Sequence, residues 1–121
     1  MWPSRYTLER KSARYSLDVR AKLKRDEHEI KVRTLDVSDG GVGLVSPVEI
    51  PEGSSFVVEF EFPMVSGIFR SEIHVSEIHV QNRAGFRYGF RFVAVDESSR
   101  ALLRKYQRCW STLAKDGSAA R

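Results

Sequence analysis

A single cysteine, Cys109, stands in a chain of 121 residues. A lone thiol excludes an internal disulfide framework and fits a reducing compartment, so a cytoplasmic location is expected. No apolar run approaches the roughly 20 residues that a helix needs to cross a bilayer, and no membrane span is expected. The opening MWPSRYTLERK lacks the continuous apolar stretch of a secretory leader. Histidine is scarce as well. His28, His74 and His79 are the only three, and no second ligand cluster accompanies them, so no metal site is expected. Ser38 and Asp36 lie in no nucleophile elbow and beside no base-orienting pattern, so catalysis is not expected either.

What is present suits one globular domain. The chain is 41% hydrophobic and 30% charged, enough apolar residue for a single core of modest size. Charge is unevenly placed: residues 1–25 hold eight basic residues against two acids, and the remainder carries a net −2. Positive charge concentrated at one end implies an anionic partner docking there.

Apolar residues alternate through most of the chain. Residues 1–14 show no clean period and read as a flexible basic arm. From Ser16, Leu17, Val19, Ala21 and Leu23 fall on one face, which predicts a half-buried strand. Asp26 and Glu27 make a turn, and Ile30, Val32 and Thr34 continue in a second strand. The phase shifts at Leu35 and Val37, which predicts a bulge. Val42 and Leu44 form a short third strand, and Phe56, Val58, Phe60 and Phe62 a fourth. The duplication SEIHV-SEIHV has an odd period, so a bulge near Ser76 and Glu77 is needed to keep both apolar sets inward. Phe86, Tyr88, Phe90 and Phe92 alternate on a last strand and read as barrel core rather than as a base-stacking platform, so no nucleic-acid polymer is expected as partner.

Only the C-terminal segment turns helical. Asp96 is a good N-cap, and Ala101, Leu102, Leu103, Tyr106, Cys109, Trp110 and Leu113 trace one face of a helix over about 96–114. Gly117 reads as a stop signal, leaving 115–121 as a disordered tail. Strands in succession followed by one helix predict an antiparallel barrel or curled sheet over 15–114, with the helix covering an open end or an edge.

Two short clusters carry chemistry. RKSAR places Arg10 and Arg14 four apart with Lys11 between them, just before the first strand. DVSDGG ends the second strand with Asp36, Ser38, Gly40 and Gly41. The first two strands form a hairpin, so the start of one lies beside the end of the other, bringing the two clusters together. Arginine offers a planar fork that matches phosphate or the O6/N7 edge of guanine. Asp36 and Ser38, two apart, share a face, and a carboxylate accepts from guanine's ring N–H and amino group. Glycines at 40 and 41 let backbone N–H groups approach an anion closely. This is a pocket for a ligand that has both phosphate and guanine.

RKSAR followed by DVSDGG, on a β-rich chain with a C-terminal helix, resembles the PilZ domain family, whose marks are RxxxR and [D/N]xSxxG. The resemblance covers roughly residues 8–114, and YGFRFVAVD is similar to the family's last strand running into its helix. It implies a six-stranded antiparallel, split β-barrel capped by an α-helix, and a non-enzymatic receptor for cyclic di-GMP. Arg10 and Arg14 would clamp phosphates and guanine edges. Asp36 and Ser38 would line base and phosphate, and Gly41, with Gly40, would allow backbone approach. Lys11 adds charge, and His79 stands where a late-strand side chain would cover the base. The resemblance implies no cofactor beyond the ligand, and a downstream protein partner. The alternative it leaves open is an adaptor of the same fold that binds protein rather than nucleotide, for example in pilus or flagellar machinery.

Overall fold

Strict alternation along one strand buries every second side chain, and six such strands close on themselves here around one core. The computed structural model describes residues 13–82 and 85–120, with the side chains of 76–82 and 112–120 outside that description. The strands are β1 (Tyr15–Ser16), β2 (Arg20–Arg25), β3 (His28–Val37) and β4 (Gly41–Ser46), then β5 (Ser55–Phe60), β6 (Phe69–Asn82) and β7 (Gly85–Val95). The helix α1 spans Glu97–Ala120. All pairings are antiparallel, in the order β1-β3-β2-β5-β6-β7-β4, and a further β3–β4 pairing closes β2 to β7 into a six-stranded barrel. The expected architecture is thus the observed one, with the two-residue β1 laid beside β3 as an addition.

The first strand departs from its expected continuity. Instead of one run from Ser16, the ladder is interrupted at 17–19 between β1 and β2. The buried Thr34 explains how the backbone bears this. Its hydroxyl donates to the Leu17 carbonyl (2.6 Å) and accepts from the Val19 amide (2.9 Å), filling in for missing ladder bonds. Leu17 is still buried, so the apolar pattern holds while the hydrogen bonding changes. The predicted bulge in β3 is present, as a register shift between Thr34 and Asp36 against β4. So is the one that the SEIHV repeat demands, as a shift between Val75 and Glu77 against β7.

The core joins barrel to helix through aromatic rings. Phe60 stacks on Phe69 with centroids 4.9 Å apart, and Phe62 meets Phe69 edge-on at 5.6 Å. Phe62 also stacks on Tyr106 of α1 at 4.7 Å. Each fully buried ring or branched chain contributes about 1.5–3 kcal/mol relative to exposure, so the helix is held by its packing more than by its propensity. Asp96 starts α1 as expected, accepting from the Ser99 amide at 2.8 Å, and this bond to its charged form holds the carboxyl below its ordinary range. Leu103 and Tyr106 are buried, and Leu102, Cys109 and Trp110 pack against the core as the periodicity required. The helix runs on to Ala120 rather than ending near 114. Gly117 lies within it, because one glycine costs only about 1 kcal/mol against alanine and does not by itself end a helix.

Candidate functional site

The hairpin argument holds at the level of register. Tyr15 pairs with Val37 and Ser16 with Asp36, so the residue preceding β1 lies against the end of β3. There Arg14 donates to Asp36 Oδ1 at 2.6 Å. The two side chains are 35% and 34% exposed, so the pair sits at a rim, held by strand pairing yet open to solvent. RxxxR and DxSxxG therefore meet through one member of each. Arg10 and Lys11 lie outside the described residues.

Asp36 is aimed by its neighbours. It pairs across the strands with Gly43 of β4, and a Cβ added at Gly43 would lie 2.7 Å from Asp36 Oδ1. Glycine there leaves the carboxylate room to lean over β4, and a Cβ would make it shift. Ser38 follows on the same side but is buried, with its hydroxyl accepting from the Gly40 amide at 3.3 Å. The Ser38 amide in turn donates to the Gly41 carbonyl at 2.9 Å. These two bonds fold the backbone into a tight turn whose shape is set by its own residues.

The two glycines of that turn are not alike. Gly41 faces β7 so closely that a Cβ would fall 2.2 Å from the Phe90 carbonyl oxygen. Strand packing therefore requires glycine at 41, independently of any ligand. Gly40 is exposed, and a Cβ there would meet nothing within 4 Å. Its carbonyl accepts from the Phe92 amide at 2.9 Å, which clips the turn to β7. His79 lies on β6, and its side chain is outside the description.

The helix also reaches the site, which nothing in the two motifs announces. Gln107 donates to Asp39 at 2.7 Å, inside the DVSDGG turn. Tyr106 donates its hydroxyl to the Ser16 carbonyl at 2.6 Å, and the Trp110 indole N–H is shared between that carbonyl and the Tyr106 oxygen. Tyr106 and Trp110 had read only as an apolar stripe; their polar ends bind β1, the strand that Arg14 precedes. Gly43 was equally unremarked, although a glycine at an outward position inside a strand signals close approach.

Chemically, the site offers an arginine fork, a carboxylate, and a pre-shaped turn with an exposed glycine, all on one rim. Such a set suits a ligand with anionic oxygens and amide-like donors. The family model described as PilZ domain matches residues 8–108. No curated protein sequence matches the chain. Among solved structures it is similar to YcgR from Escherichia coli in complex with c-di-GMP, at 22% identity and a TM-score of 0.73 over 93% of this chain and 51% of that one. It is similar to the isolated PilZ domain of YcgR with c-di-GMP, also from Escherichia coli, at 23% identity and a TM-score of 0.65, covering 91% of this chain and 98% of that one. A third likeness is to the inhibitor of motility MotI/DgrA of Bacillus subtilis, at 17% identity and a TM-score of 0.70 over 86% and 52%. The chain spans about half the length of the YcgR complex and of MotI/DgrA. At these identities the likenesses establish the fold.

Proposed function

Because the chain belongs to the PilZ domain family, we propose that it is a receptor for cyclic di-GMP which binds the nucleotide at the rim formed by Arg14, Asp36 and the Ser38–Gly41 turn. PilZ domains act as receptor or adaptor modules, and nothing in the rim calls for catalysis. The observation that carries the reading is the Arg14–Asp36 ion pair, which joins the two motifs in one place. In the free protein each partner neutralises and orients the other. In the complex, Asp36 accepts from the N1–H and amino group of a guanine, and Arg14 turns its remaining donors to phosphate. Arg10 and Lys11, preceding Arg14 on the arm, add positive charge, and Ser38, Gly40 and Gly41 present the backbone of the turn. Ordering the arm costs conformational entropy and changes the surface that a downstream protein meets, which is how occupancy becomes a signal in the cytoplasm.

Substitution at the rim tests this. Each side chain is about one-third exposed, and exposed ion pairs contribute only about 0.2–1 kcal/mol to stability. Charge-assisted hydrogen bonds to a ligand are worth about 1.5–3 kcal/mol. Arg14→Ala and Asp36→Ala should therefore each lower the affinity for cyclic di-GMP at least about tenfold by calorimetry, with near-native thermal unfolding. Wild-type affinity in both variants would reject the site.

A second reading is favoured by one likeness, that to MotI/DgrA, named as an inhibitor of motility. In that reading the barrel is an adaptor for a motility protein. The retained Arg14–Asp36 pair places it second.

A further inference from the structure

Beyond the two motifs, the outer wall of the barrel continues the site onto β7. Outward positions there are Arg87, Gly89 and Arg91, alternating with the buried Tyr88 and Phe90. Register sets them against β4: Arg91 opposite Gly41, Gly89 opposite Gly43, and Arg87 opposite Val45. Gly43 in turn stands opposite Asp36. One row across three strands thus reads Asp36, Gly43, Gly89. Neither β4 nor β7 puts a side chain into it; Gly43 is buried with the Asp36 carboxylate leaning over it, and Gly89, one strand spacing of about 5 Å further on, is half-buried.

The half-buried backbone of Gly89 is a place on which a planar base lies flat. Asp36 stands at one side of it. Arg91 stands at the other, one outward position further along β7 and beside the motif turn. The turn is bonded to β7 at that point, since the Phe92 amide donates to the Gly40 carbonyl at 2.9 Å. Arg14, Arg33 and Arg70 each have a carboxylate partner. The exposed Arg91 guanidinium has no ion pair or hydrogen bond among the described residues, so its donors are available to a ligand.

Resting on the cyclic di-GMP reading, we propose that Arg91 is a specificity-determining residue. Its fork donates to O6 and N7 of a guanine lying over Gly89, while Asp36 accepts from the opposite, N–H-bearing edge. The two edges of guanine carry opposite hydrogen-bonding character, acceptors at O6 and N7 and a donor at the amino group. An arginine and a carboxylate about one base apart match both at once. Arg87 is on the same strand, but opposite Val45 and away from the turn, so the base-reading role falls to Arg91.

The test compares cyclic di-GMP with its 7-deaza analogue, which lacks the N7 acceptor, by calorimetry on the full chain. The wild-type chain should bind cyclic di-GMP about tenfold or more tightly than the analogue, in line with the discrimination of a bidentate arginine–guanine contact. Arg91→Ala should bind cyclic di-GMP about as weakly as the analogue, with the preference gone, and Arg91→Lys should keep part of it. Unchanged thermal unfolding separates these losses from misfolding. If the wild-type chain does not discriminate, or if Arg91→Ala keeps the wild-type preference, the role assigned to Arg91 is overturned while the receptor reading stands. No binding of cyclic di-GMP by the wild-type chain removes both.

Discussion

Residues two apart on one strand look alike in a motif and differ in what they do. Within Gly40-Gly41-Val42-Gly43, strand packing demands glycine at 41, the Asp36 carboxylate leans over 43 and would shift for a Cβ, and the barrel makes no demand at 40. Gly41→Ala should destabilise the fold by about 1–3 kcal/mol, because a methyl cannot share space with the Phe90 carbonyl and the strands must part. Gly40→Ala should unfold within about 0.5 kcal/mol of the wild type. Urea unfolding of the two variants checks this, and equal losses would contradict it. A loss of cyclic di-GMP affinity in Gly40→Ala would then report close backbone approach by the ligand. The sequence pattern showed that glycines were needed here. It could not divide their reasons, because β7 is some fifty residues away in the chain and only its register supplies the carbonyl.

At the scale of elements, hydrogen bonding rather than hydropathy escaped the sequence. The alternation from Leu17 to Leu23 predicted a strand and its buried face; the face holds, and the strand holds only from Arg20. The break at 17–19 did not show, because Thr34 repairs it from another strand. The bulges at Leu35 and near Glu77 did show, since a phase change in an apolar pattern is a local signal. The outer face carries ion pairs that no local pattern reveals. Glu59 of β5 is held between Lys24 of β2 (2.9 Å) and Arg70 of β6 (2.6 Å), stapling three strands. Hydrogen bonds from Lys24 and Arg70 hold its carboxyl below the ordinary value of 4.5. A depressed value in the folded state means stabilisation that is present above the ordinary value and lost as pH falls through the folded one. Glu59→Gln should therefore melt below the wild type at pH 7, and the two should converge as the pH is lowered towards 3. A gap that stays constant with pH would show that charge plays no part in the staple.

For the whole molecule, the element order and the C-terminal helix followed from alternation and one terminal helical period, and the closed, helix-capped barrel from the resemblance that RKSAR and DVSDGG carry. The meeting of RKSAR with DVSDGG followed from a hairpin. What the sequence withheld is how α1 joins that meeting point. Tyr106 and Trp110 hold Ser16, and Gln107 holds Asp39, so the helix touches both halves of the rim. A ligand bound at the rim would thus sit on strands to which the helix is already bonded. The central claim is that the rim recognises phosphate and guanine together, in one cyclic dinucleotide. Calorimetric titration of the full chain with cyclic di-GMP, GMP and GTP tests this most directly. Saturable binding of cyclic di-GMP, with GMP and GTP at least about a hundredfold weaker, is the predicted result. Equal affinity for all three, or no binding of any, would contradict the claim.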